Sequence, residues 1–123
     1  SGTAKRLFDA SDGSKYFFAE IMANGKVSFG FEDGSDGDYF KSTDSPLAVD
    51  ASVWKHLIFV WDVTTSTAQI FVDGVEQSLS GSNGGTAAFI NLDTLYFGDN
   101  RDATYYAGES SADGRIDEVL VFN

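Results

Sequence analysis

An all-β fold, a sandwich or a barrel, is what this sequence predicts, and three observations predict it. Thirteen glycines in 123 residues, accompanied by many Asp, Ser, Thr and Asn, punctuate the chain at the short intervals typical of strands joined by turns. Between these breaks apolar residues alternate with period two. No window sets apolar residues at i, i+3, i+4 and i+7 with good helix formers between them, so no long helix is expected. A hydrophobic content of 42%, with eleven Phe, supplies a core and excludes a disordered chain.

The elements follow in order. Lys15–Met22 puts Tyr16 and Phe18 on one face and Phe17, Ala19 and Ile21 on the other, which suits a strand covered on both sides. Asn24-Gly25 is the strongest short hairpin signal and predicts a type I′ turn. The return strand, Lys26–Glu32, sends Val27, Phe29 and Phe31 one way and Ser28 and Gly30 the other. Asp33–Asp38 is a turn, Tyr39–Lys41 a short strand, and Ser45-Pro46 opens a loop that ends near Ser52. Trp54–Val63 is the most apolar strand, again on both faces. Thr64–Ser66 turns it into Thr67–Val72, and Asp73-Gly74 turns that into Val75–Leu79, a three-stranded meander. Gly81–Gly85 is a loop, Asp93–Gly98 a strand and Asp99–Gly114 a long polar loop. Arg115–Phe122 is the last strand; Ile116, Val119 and Val121 all point inward there only with a bulge at Asp117-Glu118. The expected core is Phe17 or Phe18, Phe29, Trp54, Ile58, Val60, Ile70, Val72, Leu95 or Phe97, Ile116, Val119 and Val121. No linker or repeat divides the chain, so residues 1–123 are expected to form one domain.

Composition excludes several classes of function. Without cysteine there are no disulfides and no thiol chemistry. One histidine excludes zinc sites built on histidine clusters. A net charge of −11 repels nucleic acid and anionic lipid, and no apolar run reaches the roughly 20 residues of a membrane helix. No nucleic-acid partner and no membrane insertion are therefore expected, while cations, neutral ligands and basic partners stay open.

The second half carries W-K-H-L-I-F-V-W-D from Trp54, Q-I-F-V-D-G-V-E from Gln69, L-Y-F-G-D from Leu95 and G-R-I-D-E-V-L-V-F-N from Gly114. These motifs, in this order, resemble the laminin G-like, concanavalin A-like jelly-roll superfamily, and Lys15–Glu32 is similar to the hairpin that precedes them there. The resemblance implies an antiparallel two-sheet jelly-roll sandwich. It also implies a further front strand beside the closing G-x-I-D-E-V strand, which this sequence lacks. The expectation is part of a larger protein, and either an abbreviated sandwich or one in which another segment supplies the missing strand beside the closing strand. That segment is Ser1–Asp9, with Leu7 and Phe8 as its apolar side chains, or else a neighbouring domain or subunit.

Catalytic chemistry finds little support. Related jelly-roll glycosidases set paired acids on one face of a strand, and a retaining pair stands about 5–5.5 Å apart. The closest match, Arg115-Ile116-Asp117-Glu118, has arginine at the first acidic position and its two acids adjacent, on opposite faces of a regular strand. His56 reads as a packed histidine in an apolar strand rather than a general base, and Trp54 and Trp61 as core rather than a sugar platform. No enzyme is expected.

Calcium takes six to eight oxygen ligands, mostly carboxylates and carbonyls. Two segments offer them: Asp33, Asp36 and Asp38 in the first acidic turn, and Asp99, Asp102 and Asp113, with Glu109 and Asp117 nearby, in the long loop. The same residues also form turns without any ion. The 99–113 loop is either a ligand site, where Tyr105 and Tyr106 offer flat faces and Asn100, Arg101 and Asp102 offer hydrogen bonds, or a rim loop whose tyrosines cover the core edge left by the missing strand. The reading is a non-catalytic binding or adhesion module, calcium-assisted and facing a glycan or other surface ligand, on a cell or virion surface. The alternative is a structural or decoration module of a surface adhesin or virus particle.

Overall fold

The computed structural model describes residues 4–11, 15–33, 37–48, 52–62, 64–82, 94–98, 110–111 and 114–122. They form two sheets and, among them, no helix. The large sheet contains β1 (Lys5–Ser11), β2 (Lys15–Ile21), β3 (Val27–Asp33), β4 (Gly37–Thr43), β8 (Leu79–Gly81), β9 (Thr94–Phe97) and β10 (Ser110–Ser111). The small sheet is the meander β5 (Leu57–Asp62), β6 (Thr67–Val72) and β7 (Val75–Glu76). Every pairing is antiparallel except the two-residue contact of β1 with β10.

The inner face of the large sheet follows from the alternation in β2 and β3. Val27, Phe29 and Phe31 are buried, as their spacing predicts, with Ala19 beside them. The small sheet answers with Ile70, and with Phe59, Trp61 and Ala68 packed against the same cluster. Aromatic rings fill the space between: Phe29 lies 5.0 Å from Phe17 and 5.1 Å from Phe59, and Trp61 meets Tyr39 edge-on at 4.6 Å. A bulge at Leu7 lets Arg6 face outward while Leu7 and Phe8 both join the core. Buried Thr43 closes one end; its hydroxyl accepts from the Val27 amide and donates to the Ser45 carbonyl.

Several expectations are corrected. The Asn24 loop is not a type I′ turn: the Gly25 amide bonds the Met22 carbonyl and only Gly25 has positive φ. That is a three-residue loop ending in a left-handed glycine. The two-residue turn with both φ values positive is Asp73-Gly74. Tyr39–Lys41 grows to Gly37–Thr43, because pairing with β3 extends it at both ends. The strand expected over Val75–Leu79 splits. Gln77 still donates to Ile70 in the small sheet, whereas Ser78 accepts from Asp44 beside β4 in the large one, so the chain changes layers between these two residues.

The strand expected over Trp54–Val63 spans Leu57–Asp62 and is covered on one face only. Leu57, Phe59 and Trp61 point inward, and Ile58 and Val60 point outward, opposite to the expected register. Trp54, at 62% exposure, is not core, and His56 is exposed rather than packed. Leu95 and Phe97 are both partly open, although they share the inner face of the large sheet with Ala10 and Phe8. Arg115–Phe122 is not a strand: no ladder partner lies beside it among the described residues, and Ile116, Val119 and Val121 are exposed. The bulge expected at Asp117-Glu118 has no strand to sit in; Glu118 has φ of 51° and its amide is held by the Asp117 carboxylate, within an exposed non-strand segment. The first segment does become a strand, but it pairs with β2, β9 and β10 instead of with Arg115–Phe122.

Candidate functional site

The outer face of the large sheet carries the polar chemistry that a site needs. Period two sends Phe18 and Glu20 of β2, Ser28 and Gly30 of β3, and Phe40 and Ser42 of β4 to this face. Gly30 is paired with Phe18 on one side and Phe40 on the other. Because it has no side chain, the two rings close over it with centroids 4.9 Å apart. On the other side of Phe18, the Arg6 guanidinium lies 3.6 Å from the ring centroid.

Arg6 is buried and is bracketed by two acids. Its Nε is 3.8 Å from Asp9 Oδ2 and its Nη2 is 3.7 Å from Glu20 Oε2. These are ion pairs rather than short hydrogen bonds, and they fix Glu20 at one wall of an open cleft. The cleft, about 290 Å³, is lined by Phe18, Glu20 and Met22 from β2, Ser28 from β3, Phe40 and Ser42 from β4, and Gly81 and Ser82 from the end of β8. Gly81 has φ of 138° and lies so near β4 that a side chain would collide with the Phe40 carbonyl, so the rim at Ser82 depends on that glycine. The cleft thus combines an aromatic surface, serine hydroxyls and one carboxylate.

On the small sheet the carboxylates serve the turns. Asp73 accepts from Lys55 Nζ at 2.7 Å and from the His56 amide at 3.0 Å, and the Lys55 bond leads in holding its pKa below the ordinary value. Asp62 is lowered likewise, first by the Thr65 hydroxyl and then by the Thr64 and Thr65 amides. His56 is tied to this turn through its backbone.

The sequence-derived site residues are not brought together by the described structure. The backbones of Asp33 and Asp38 lie at the end of the β3–β4 hairpin, where Asp33 pairs with Gly37 and Glu32 with Asp38. Asp36, Asp99, Asp102 and Asp113, and the ligand-loop residues Asn100, Arg101, Tyr105 and Tyr106, lie outside the described residues. Among the described residues no group of three or more His, Asp or Glu side chains could hold a metal. The outer-face cleft was missed because Ser42, Gly81 and Ser82 meet only once β8 joins β4. The available signal was the polar face of the return strand, Ser28 and Gly30 opposite three large apolar residues.

The described strands thus form a two-sheet sandwich with a polar cleft on the outer face of one sheet. The whole chain, residues 1–123, matches a laminin G-type family model described as the concanavalin A-like lectin/glucanases superfamily, and the protein belongs to that family. No curated protein and no solved structure matches the chain.

Proposed function

We propose that this protein is a non-catalytic glycan-binding module of a cell or virion surface, and that the sugar sits in the outer-face cleft of the large sheet. The observation that carries the proposal is the composition of that cleft. Phe40, only partly buried, and Met22 give an apolar surface for sugar C–H groups, while Ser28, Ser42, Ser82 and Glu20 exchange hydrogen bonds with hydroxyls. Its volume of about 290 Å³ lies at the lower end of ligand pockets, which suits one or two sugar rings rather than a long polymer. A neutral ligand also suits a chain of net charge −11. Asp9 and Glu20, two acids on this face, engage Arg6, which supports a binding role over acid–base catalysis for them. Calcium, held by the Asp33–Asp38 turn or the Asp99–Asp113 loop, belongs to the same reading as a stabiliser of the rim.

A glycan array probed with and without calcium tests this. The expected result is retention on a small set of neutral glycans, lost in Phe40→Ala and weakened in Ser42→Ala, which leaves the buried Arg6 ion pairs intact and the melting temperature unchanged. Binding to no glycan in either condition would overturn the proposal and leave the structural role.

A further inference from the structure

Asn24-Gly25, in the loop between β2 and β3, carries a reactivity of its own. An asparagine amide is open to attack by the main-chain nitrogen of the next residue, and a glycine there has no side chain to stand in the way. Asn24 is exposed, and its Oδ1 accepts from the Lys26 amide at 3.0 Å, which folds the side chain forward over the peptide it would react with.

The loop holds the attacking nitrogen out of use. The Gly25 amide donates to the Met22 carbonyl at 2.8 Å, and the Met22 amide donates to the Lys26 carbonyl at 2.8 Å. From the neighbouring loop the Leu47 amide donates to the Gly25 carbonyl at 2.7 Å, and a Cβ on Gly25 would come within 3.3 Å of Pro46 Cβ. To attack, the Gly25 nitrogen has to give up its bond, lose its proton and turn toward Asn24 Cγ, against contacts on both sides. Asp73-Gly74, the other Asn/Asp-Gly step among the described residues, is held differently. Its carboxylate oxygens accept from Lys55 and from the His56 amide, and an ionised carboxylate is a poor target for an amide nitrogen.

We propose that Asn24 is a deamidation site gated by this loop, closed while Pro46 and Leu47 hold Gly25 and reactive each time the loop opens. In the open loop the Gly25 nitrogen bonds to Asn24 Cγ, the Cγ–Nδ2 bond breaks, and ammonia leaves with the amide proton. Water then opens the cyclic imide at either carbonyl and gives aspartate or isoaspartate. Isoaspartate adds one carbon to the main chain between Met22 and Lys26, so the bonds that closed the loop no longer fit and the change runs one way. Met22 also lines the outer-face cleft, so the modification reaches that wall.

Peptide mapping by mass spectrometry tests this. The full chain, the full chain in guanidinium chloride and a blocked peptide of residues 20–28 are held at mildly alkaline pH. Amide-to-acid conversion is followed at Asn24, separately from the Asn83-Gly84 step, which lies outside the described residues. Conversion in the native chain should be at least about tenfold slower than in the peptide and should rise to the peptide's rate in denaturant, with isoaspartate among the products. Equal rates in the native chain and the peptide overturn the gate, and no conversion in the peptide or the denatured chain overturns the site. In the purified isoaspartate form the Leu47 amide should exchange hydrogen at least about tenfold faster than in the parent, and unchanged exchange there overturns the coupling between the two loops.

Discussion

A Cβ at residue 30 would collide with the Tyr39 carbonyl oxygen and come within 2.9 Å of Phe40 Cα. One missing methyl group thus decides how closely β3 and β4 approach and whether Phe18 and Phe40 meet above them. Gly30→Ala is expected to destabilise the fold by about 3 kcal/mol, the upper end of typical overpacking costs, as read from the denaturant midpoint. It should also open the gap between the two rings and weaken sugar binding. Asp73 sets a different residue-scale property. Its folded pKa is depressed below 3.8, so its contribution is complete above the unfolded value and is lost as pH falls through the folded one. Asp73→Asn should therefore lose less of its melting temperature than the parent between about pH 5 and about pH 2.5. Equal losses in the two proteins would mean that the Lys55 contact adds nothing in solution.

Elements were legible wherever one face is buried and a turn fixes the register. Lys15–Ile21, Val27–Asp33 and Thr67–Val72 are such strands, and each lies within a residue of its expected bounds. Period two fails for β5 because Ile58 and Val60 are as apolar as Leu57, Phe59 and Trp61, so the pattern alone does not say which set is inside. The structure chooses through the aromatic cluster: Phe59 and Trp61 fill the gap between Phe8, Phe29 and Tyr39. The comparison that checks this is Ile70→Ala against Ile58→Ala in equilibrium denaturation. Ile70 is fully buried, and its truncation should cost about 2–5 kcal/mol. Ile58→Ala should cost less than about 1 kcal/mol, because the residue is 40% exposed. The split of Val75–Leu79 left no local trace either, since the change of layer at Gln77-Ser78 is set by what Asp44 and Ile70 offer as backbone partners.

Across the whole molecule the dominant property is charge. Nineteen acids against eight bases repel one another in the compact state, and a bound cation relieves some of that repulsion. A ligand that binds only the native chain stabilises it by about 2.7 kcal/mol at a hundredfold excess over Kd. Millimolar calcium is therefore expected to raise the melting temperature relative to chelator. Loss of that rise in Asp36→Ala or in Asp102→Ala would assign the ion to one loop, and no rise at all would make the acids turn residues only. The architecture at this scale was legible because glycine spacing and motif order are properties of the entire sequence. The cleft was not, because it belongs to three strands and a β8 rim whose pairing no single segment encodes.

The pairing of β1 also has a consequence in time. Phe8 is matched to Phe97 and Lys5 to Ser110, so the outer edge of β1 gains its neighbours only after roughly 90 more residues have been added. At ribosomal rates of about 5–20 residues per second, this strand waits roughly 5–20 s with its hydrogen-bonding groups and part of Phe8 uncovered. During synthesis its β2 hairpin partner is complete long before β9 exists. The nascent chain is therefore most open to chaperone capture or to misjoining with a neighbouring nascent chain at residues 5–11, a stretch that the finished fold places between two partners.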